Sequence, residues 1–252
     1  MTRAYFVTGT DTGVGKTLVT AALLRLLRER GLRVRGLKPV ASGAASTPQG
    51  LRNDDALALQ AESSPPVDYE TVNPYCFAPA IAPHLAAAEQ DVPIALAALT
   101  AWYQRSSAQC DAVLVEGAGG WRVPLHPAGF LSDLPEALEL PVLLVVGLRL
   151  GCLNHALLTR EAIRSSGLPF AGWIANKMAV EMPLVKANIE TLTSRFQMPP
   201  LAVVPSGAGQ GFPGFATKSE TAAKHEKDGN PRPAPLEVPP WAEEAANKLV
   251  SA

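Results

Sequence analysis

Cysteine is scarce. Cys76, Cys110 and Cys152 are the only three in 252 residues, odd in number and far apart. With no CxxC or zinc-type spacing they read as reduced thiols, which excludes a disulfide framework. The four histidines, His84, His126, His155 and His225, also lack metal-ligand spacing. Charge is low: Asp, Glu, Lys and Arg make up 18% of the chain and the net charge is −1. That leaves no strongly basic surface for nucleic acid or anionic membrane. Long apolar runs are missing too. The longest, PVLLVVGL at 141–148, is far too short to span a bilayer. The opening MTRAYFVTGT reads straight into a strand and a loop, without a signal-peptide apolar stretch. A soluble, cytoplasmic protein is expected.

What is present is apolar residue in quantity, 47% of the chain, at a length that suits one large α/β domain. Short apolar runs at 4–8, 33–38, 112–116, 142–146, 170–176 and 201–205 predict strands. Several are apolar at nearly every position, as in parallel strands buried on both faces. Amphipathic stretches at 16–30, 54–61, 94–107, 132–140, 152–166 and 184–196 predict helices between them. Such alternation predicts a doubly wound α/β fold, a mostly parallel sheet with helices on both faces. Residues 1–207 are expected to form that single domain. After Pro205 the composition shifts to Gly, Pro, Lys and Glu, so 206–235 is expected to be mostly unstructured, with a short helix at 241–250.

The most informative segment is VTGTDTGVGKT, residues 7–17, after a predicted strand and opening a predicted helix. Gly13 and Gly15 let the backbone turn so that successive N–H groups point at phosphate oxygens, and the helix N-terminus adds its partial positive charge. Lys16 is placed to reach the β- and γ-phosphates, and the Thr17 hydroxyl to bind Mg²⁺. The spacing departs from GxxxxGK[ST]: five residues separate Gly9 from Gly15, and Thr10 holds the usual first-glycine position. A Rossmann loop fits less well, because GxGxxG does not match these glycines.

AVLVEGAGG (112–120) ends a buried strand with Glu116 and then turns through glycines. Ligands gather beyond the carboxyl ends of strands in such sheets, which places Glu116 beside a Mg²⁺-bound phosphate. Asp54 and Asp55 open a helix; one could be a plain N-cap, and either could supply a metal oxygen. Lys38 ends a strand before Pro39, suited either to neutralising a transferring phosphoryl group or to simple solvation.

Together these motifs resemble the dethiobiotin synthase family. The matching segments are YFVTGTDTGVGKT (5–17), GLKPVASG (36–43), LRNDDALALQ (51–60), VNPYCFAPAIAPH (72–84), VLVEGAGGW (113–121), GLRLGCLNHALLT (147–159) and AGWIANKM (171–178). They occur in family order and spacing over most of 4–205, and the five-residue gap after Gly9 is itself a family trait.

The resemblance implies an ATP-dependent ligase of biotin biosynthesis. It closes a ureido ring on 7,8-diaminononanoate with CO₂ and releases ADP and phosphate. The diamine captures CO₂ as a carbamate, ATP phosphorylates the carbamate, and the second amine expels phosphate. Carried across, Lys38, Lys16 and Thr12 become the catalytic set, and Thr17, Asp55 and Glu116 the Mg²⁺ ligands. Gly13, Val14, Gly15, Lys16, Thr17, Leu18, Asp55, Glu116, Gly117, Ala118 and Gly119 fall in the nucleotide cradle. Ser42 and Asn154 face the substrate, Asn154 from the GCLNHA helix start that in the family belongs to the neighbouring subunit. A homodimer with the substrate at the interface is implied. Asn176, Lys177, Pro205, Ser206 and Gly207 match the base-reading edge, although Lys177 stands where an acid is common. VPPW at 238–241 echoes a family Pro-Trp segment and is a second candidate for that edge.

The rival reading is a partition-type P-loop ATPase switch. Its signature lysine in KGGxGKT is replaced here by Asp11. A cobyrinic-acid-type amide ligase would need a glutaminase domain that this length cannot hold. A catalytically idle nucleotide-binding module conflicts with the joint presence of Lys16, Thr17, Lys38, Asp55 and Glu116.

Overall fold

Alternation of apolar side chains onto two opposite faces builds the core. In the strand Val142–Leu148 all seven residues are buried. Leu143 and Val145 join one hydrophobic cluster, while Val142, Leu144 and Val146 join clusters on the opposite side. Only a sheet covered on both faces accommodates that pattern. The structure is a computed structural model and describes residues 2–126, 129–178, 182–208 and 239–251.

In chain order the elements are β1 (Arg3–Gly9), α1 (Lys16–Glu29), β2 (Val34–Leu37), β3 (Val40–Ser42), β4 (Ala45–Thr47), β5 (Gly50–Arg52), α2 (Asp54–Glu62), α3 (Tyr69–Val72) and β6 (Tyr75–Phe77). Then follow α4 (Pro83–Glu89), α5 (Leu96–Ser106), β7 (Ala112–Glu116), β8 (Pro124–His126), β9 (Gly129–Phe130) and α6 (Asp133–Ala137). The last are β10 (Val142–Leu148), α7 (Cys152–Ser165), β11 (Phe170–Lys177), α8 (Val185–Phe196), β12 (Ala202–Val204) and the C-terminal helix Pro240–Ser251.

Six strands form the main sheet in the order β12-β11-β10-β1-β7-β2. Every pairing in it is parallel, so the expected mostly parallel sheet is wholly so. The doubly wound α/β fold and its six main strands stand as expected. The sequence periodicity did not reveal the two-residue and three-residue strands outside this sheet, which are too short to show a period. The helix expected at 132–140 is only Asp133–Ala137.

α1 packs on the sheet through Val19, Leu23, Leu24 and Leu27. The C-terminal helix joins the same cluster through Trp241, Ala242, Ala245, Ala246 and Leu249. The Tyr5 hydroxyl donates to the Leu249 carbonyl at 2.8 Å, and Lys248 Nζ donates to the Leu201 carbonyl at 3.1 Å, pinning it across the sheet. The expected unstructured stretch, 206–235, lies outside the described residues from 209 onward.

Candidate active site

β1, β7 and β2 lie side by side, and each delivers one part of the site from its carboxyl end. After β1 the chain wraps back on itself before α1. Gly15 is the N-cap of α1 at φ 91°, and no side chain caps the helix. A Cβ at Gly15 would fall 2.2 Å from Asn176 Nδ2, so this position needs glycine for space as well as for its left-handed backbone. The first turn of α1 also contains no acid. Its free N–H groups and dipole are therefore unopposed, an arrangement suited to an anion.

Lys16 folds back across this loop. Its Nζ donates to the Asp11 carbonyl at 3.0 Å and to the Gly119 carbonyl at 2.7 Å. Burial, with a smaller contribution from nearby Lys38, lowers its pKa to about 8. The Thr12 N–H donates to Asp11 Oδ1 at 2.7 Å. Thr12 itself is exposed, and a Cβ at Gly119 would lie 3.5 Å from its hydroxyl.

β7 ends in Glu116, which is fully buried. Its Oε1 accepts from the Thr17 hydroxyl at 2.9 Å and from Lys38 Nζ at 2.6 Å. Lys38, just past β2, is 3% exposed. Its ammonium also reaches Asp55 Oδ2 at 3.1 Å and the Gly117 carbonyl at 3.2 Å. Burial opposes charge on Lys38, but Glu116 and Asp55 outweigh it and hold the pKa above the ordinary lysine value. Lys38 in turn draws the Asp55 carboxyl below its usual range.

The choice between Asp54 and Asp55 is decided by a neighbour. Asn53 is the N-cap of α2, its side chain accepting from the Ala56 N–H. Neither aspartate is needed as a cap. Asp54 points to solvent while Asp55 turns to Lys38.

Lys16, Thr17, Lys38, Asp55, Glu116 and Gly117–Gly119 are thus brought together. Ser42, at the end of β3, is half-buried, and its carbonyl accepts from Asn53 Nδ2 at 3.3 Å. Asn154 is exposed in the first turn of α7 and, among the described residues, hydrogen-bonds to none of this group. Asn176 is buried at the end of β11. Its Nδ2 donates to the Val14 carbonyl at 2.8 Å, so one N–H of the amide braces the phosphate loop from behind. Lys177 and Pro205–Gly207 are exposed side by side, with Asn176 paired to Val204 across β11 and β12. The Ser206 hydroxyl meets the Met178 carbonyl at 3.5 Å. Trp241 of VPPW is buried in the same core cluster as α1. Arg149, missed from sequence, pairs its guanidinium with Asp11 and ties the phosphate loop to the start of α7. Its place inside GLRLGCLNHALLT was the available signal.

Oxygen donors suited to a hard divalent cation occur here. Glu116 Oε2 is buried without a hydrogen-bond partner, beside the Thr17 hydroxyl and the partly exposed Asp55 carboxylate. These residues fit such an ion.

A family described as an AAA domain matches residues 3–209. An ATP-dependent dethiobiotin synthetase BioD of Cellvibrio japonicus is 55% identical over 203 residues, covering 81% of this chain and 89% of its own. Another, from Chromohalobacter salexigens, is 53% identical over 210 residues, covering 80% and 89%. Among solved structures, a MinC:MinD cell division protein complex of Aquifex aeolicus aligns with TM-score 0.59 at 16% identity, over 99% of this chain and 96% of that one. A ParA family ATPase of Chlorobium tepidum aligns at 0.54 and 11%, over 100% and 98%. At such identities these two share the fold alone.

Proposed function

The chain belongs to the ATP-dependent dethiobiotin synthetase family, and from that premise we propose how its residues divide the work. The reaction is the ATP-dependent formation of dethiobiotin in biotin biosynthesis, from 7,8-diaminononanoate and CO₂ with release of ADP and phosphate. The chain is therefore an ATP-dependent ligase. The observation that carries the division of labour is the ammonium of Lys38, fixed between Glu116 and Asp55 beside the phosphate loop.

Because its two carboxylates keep Lys38 protonated, it serves as a fixed cation and not as a base. It faces the charge that develops as the carbamate oxygen attacks the terminal phosphorus. Lys16 draws the β- and γ-phosphates onto the amides of Gly13–Thr17, with Leu18 behind them in the first turn of α1. Burial makes its charge less secure in the free protein than an ordinary lysine's, and incoming phosphates stabilise that charge. Thr12 and Ser42 orient the diamine and its carbamate. Asn176, Lys177 and Pro205–Gly207 form the base edge. Thr17, Asp55 and Glu116 would hold Mg²⁺, which supplies charge neutralisation on the phosphates.

A homodimer is part of this reading. Leu150, just before α7, is 96% exposed, and Leu158, one turn past Asn154 on the helix, is 57% exposed. With α7 of the partner subunit closing the site, Asn154 and the N-terminus of that helix receive the substrate carboxylate. A cytoplasmic setting is in keeping with three free thiols.

Phosphate release from Mg-ATP, measured with and without diaminononanoate and bicarbonate, tests the reading. Release that requires both substrates supports it. Release indifferent to the diamine would return the assignment to an ATPase switch.

A further inference from the structure

The segments LRNDD and VNPYCF supply, besides Asp55, no side chain to the cluster around Glu116. With Tyr69 at the start of α3, they nevertheless bring together three polar side chains that are almost wholly buried: Asn53 at 8%, Tyr69 at 5% and Asn73 at 3% exposure. Buried polar groups are retained where their hydrogen bonds are satisfied, and here they are satisfied mainly by one another and by the backbone of site residues.

We propose that Tyr69, Asn73 and Asn53 are positioning residues for the reaction, forming one buried network that fixes Lys38, Ser42 and the Asp55 end of α2 relative to one another. The network starts where the main sheet stops. Pro39 has no N–H, and past Lys38 the chain leaves β2 for β3, which pairs with β6 instead. At that crossing Lys38 is clamped on both sides. Its N–H donates to the Val72 carbonyl at 2.8 Å, and its own carbonyl accepts from Asn73 Nδ2 at 2.7 Å. Asn73 Nδ2 also reaches the Tyr75 carbonyl at 3.0 Å.

The Tyr69 hydroxyl is the junction. It donates to Asn73 Oδ1 at 2.9 Å and accepts from the Asn53 N–H at 2.8 Å. Cys76 Sγ lies 3.3 Å from the same oxygen. Burial raises the phenol pKa, so the hydroxyl keeps its proton to donate. The Arg52 guanidinium covers the ring at 4.2 Å from its centre. From Asn53 two arms leave. Oδ1 accepts from the Ala56 N–H at 3.2 Å and starts the helix that presents Asp55; Nδ2 reaches the Ser42 carbonyl.

A long lysine side chain aims its ammonium only as well as its backbone is held, and a misplacement of about 1 Å at a reacting centre can cost on the order of 100-fold in rate. The inference rests on Lys38 being functional, and the test separates the two. Four variants are compared over a range of substrate concentrations reaching saturation, with ADP affinity measured at equilibrium: Tyr69→Phe, Asn53→Asp, Lys38→Ala and, as a stability control, Leu192→Ala. Leu192 is buried in α8, in a cluster apart from the network.

Tyr69→Phe keeps the ring and removes one hydroxyl. Its kcat should fall about tenfold or more. ADP affinity should stay within about twofold, because the cradle Gly13–Thr17 lies outside the network. Asn53→Asp retains the helix cap but loses the donor to Ser42, and KM for the diamine should rise about threefold or more. Leu192→Ala should lower Tm while kcat holds. Normal kcat in Tyr69→Phe with a dead Lys38→Ala overturns the network alone. Full turnover in Lys38→Ala overturns the catalytic reading beneath it. A kcat loss in Tyr69→Phe no larger than in the control means stability, not positioning, and also overturns the proposal.

Discussion

Replacing Glu116 by Gln isolates the electrostatics of the site. The Lys38 ammonium is buried, with Glu116 at 2.6 Å and Asp55 at 3.1 Å. Glutamine preserves shape and removes the nearer charge. Lys38 would then depend on Asp55, whose side chain is 44% exposed and therefore screened by water. Breaking a buried pair from one side costs about 3–5 kcal/mol, and the remaining aspartate points to the lower end, about 3 kcal/mol. For a chain of this size each kcal/mol is worth roughly 2–4 °C, so Tm should fall by about 6–12 °C. Lys38→Met alone leaves Glu116 buried and uncompensated and should cost a similar amount. The double variant Lys38→Met with Glu116→Leu removes both charges and should recover most of the loss, since an apolar replacement of a buried pair is often neutral or better. Urea unfolding of these proteins together with a single Glu116→Leu variant closes the cycle parent, Lys38→Met, Glu116→Leu and the double, with activity absent from all four variants. Strictly additive losses, or a Glu116→Gln protein within about 0.5 kcal/mol of the parent, would refute the view that these charges are desolvated together.

Other perturbations reach different parts of the molecule. The pKa of Lys16, about 8 in the free protein, should rise when phosphates bind beside it. ADP affinity should therefore be level below pH 8 and weaken by up to about tenfold per pH unit above it; calorimetry at pH 9 that detects no proton uptake on binding would contradict this. Trp241→Ala should cost about 3–5 kcal/mol by opening a cavity over α1, and a chain truncated before Pro239 should melt lower still; a truncated protein as stable as the full one would show the helix to be dispensable. Leu150→Glu should convert a dimer to monomers in size-exclusion chromatography and stop turnover with the fold intact, whereas an active dimer would remove α7 from the proposed interface.

The phosphate loop and the main sheet were legible because their determinants are local. Glycines that turn a loop, a lysine following Gly15, and strands apolar on both faces each carry their signal within about ten residues. The same locality explains what was missed. Strands such as Gly129–Phe130 and Val40–Ser42 are shorter than any period, and the buried roles of Asn53, Tyr69 and Asn73 depend on bonds between separate segments.

By itself the sequence determined the parallel α/β architecture and the family. It did so because those properties are written in runs and motifs. Tertiary structure alone decided which partner each buried polar atom has. It gave the α2 cap to Asn53 and turned Asp55 to Lys38. It turned one Asn176 N–H to Val14 and laid the C-terminal helix over α1. The physical reason is that a buried charge or hydrogen bond is satisfied by proximity in space, and residues 38 and 116 meet only after the sheet has placed β2 and β7 side by side.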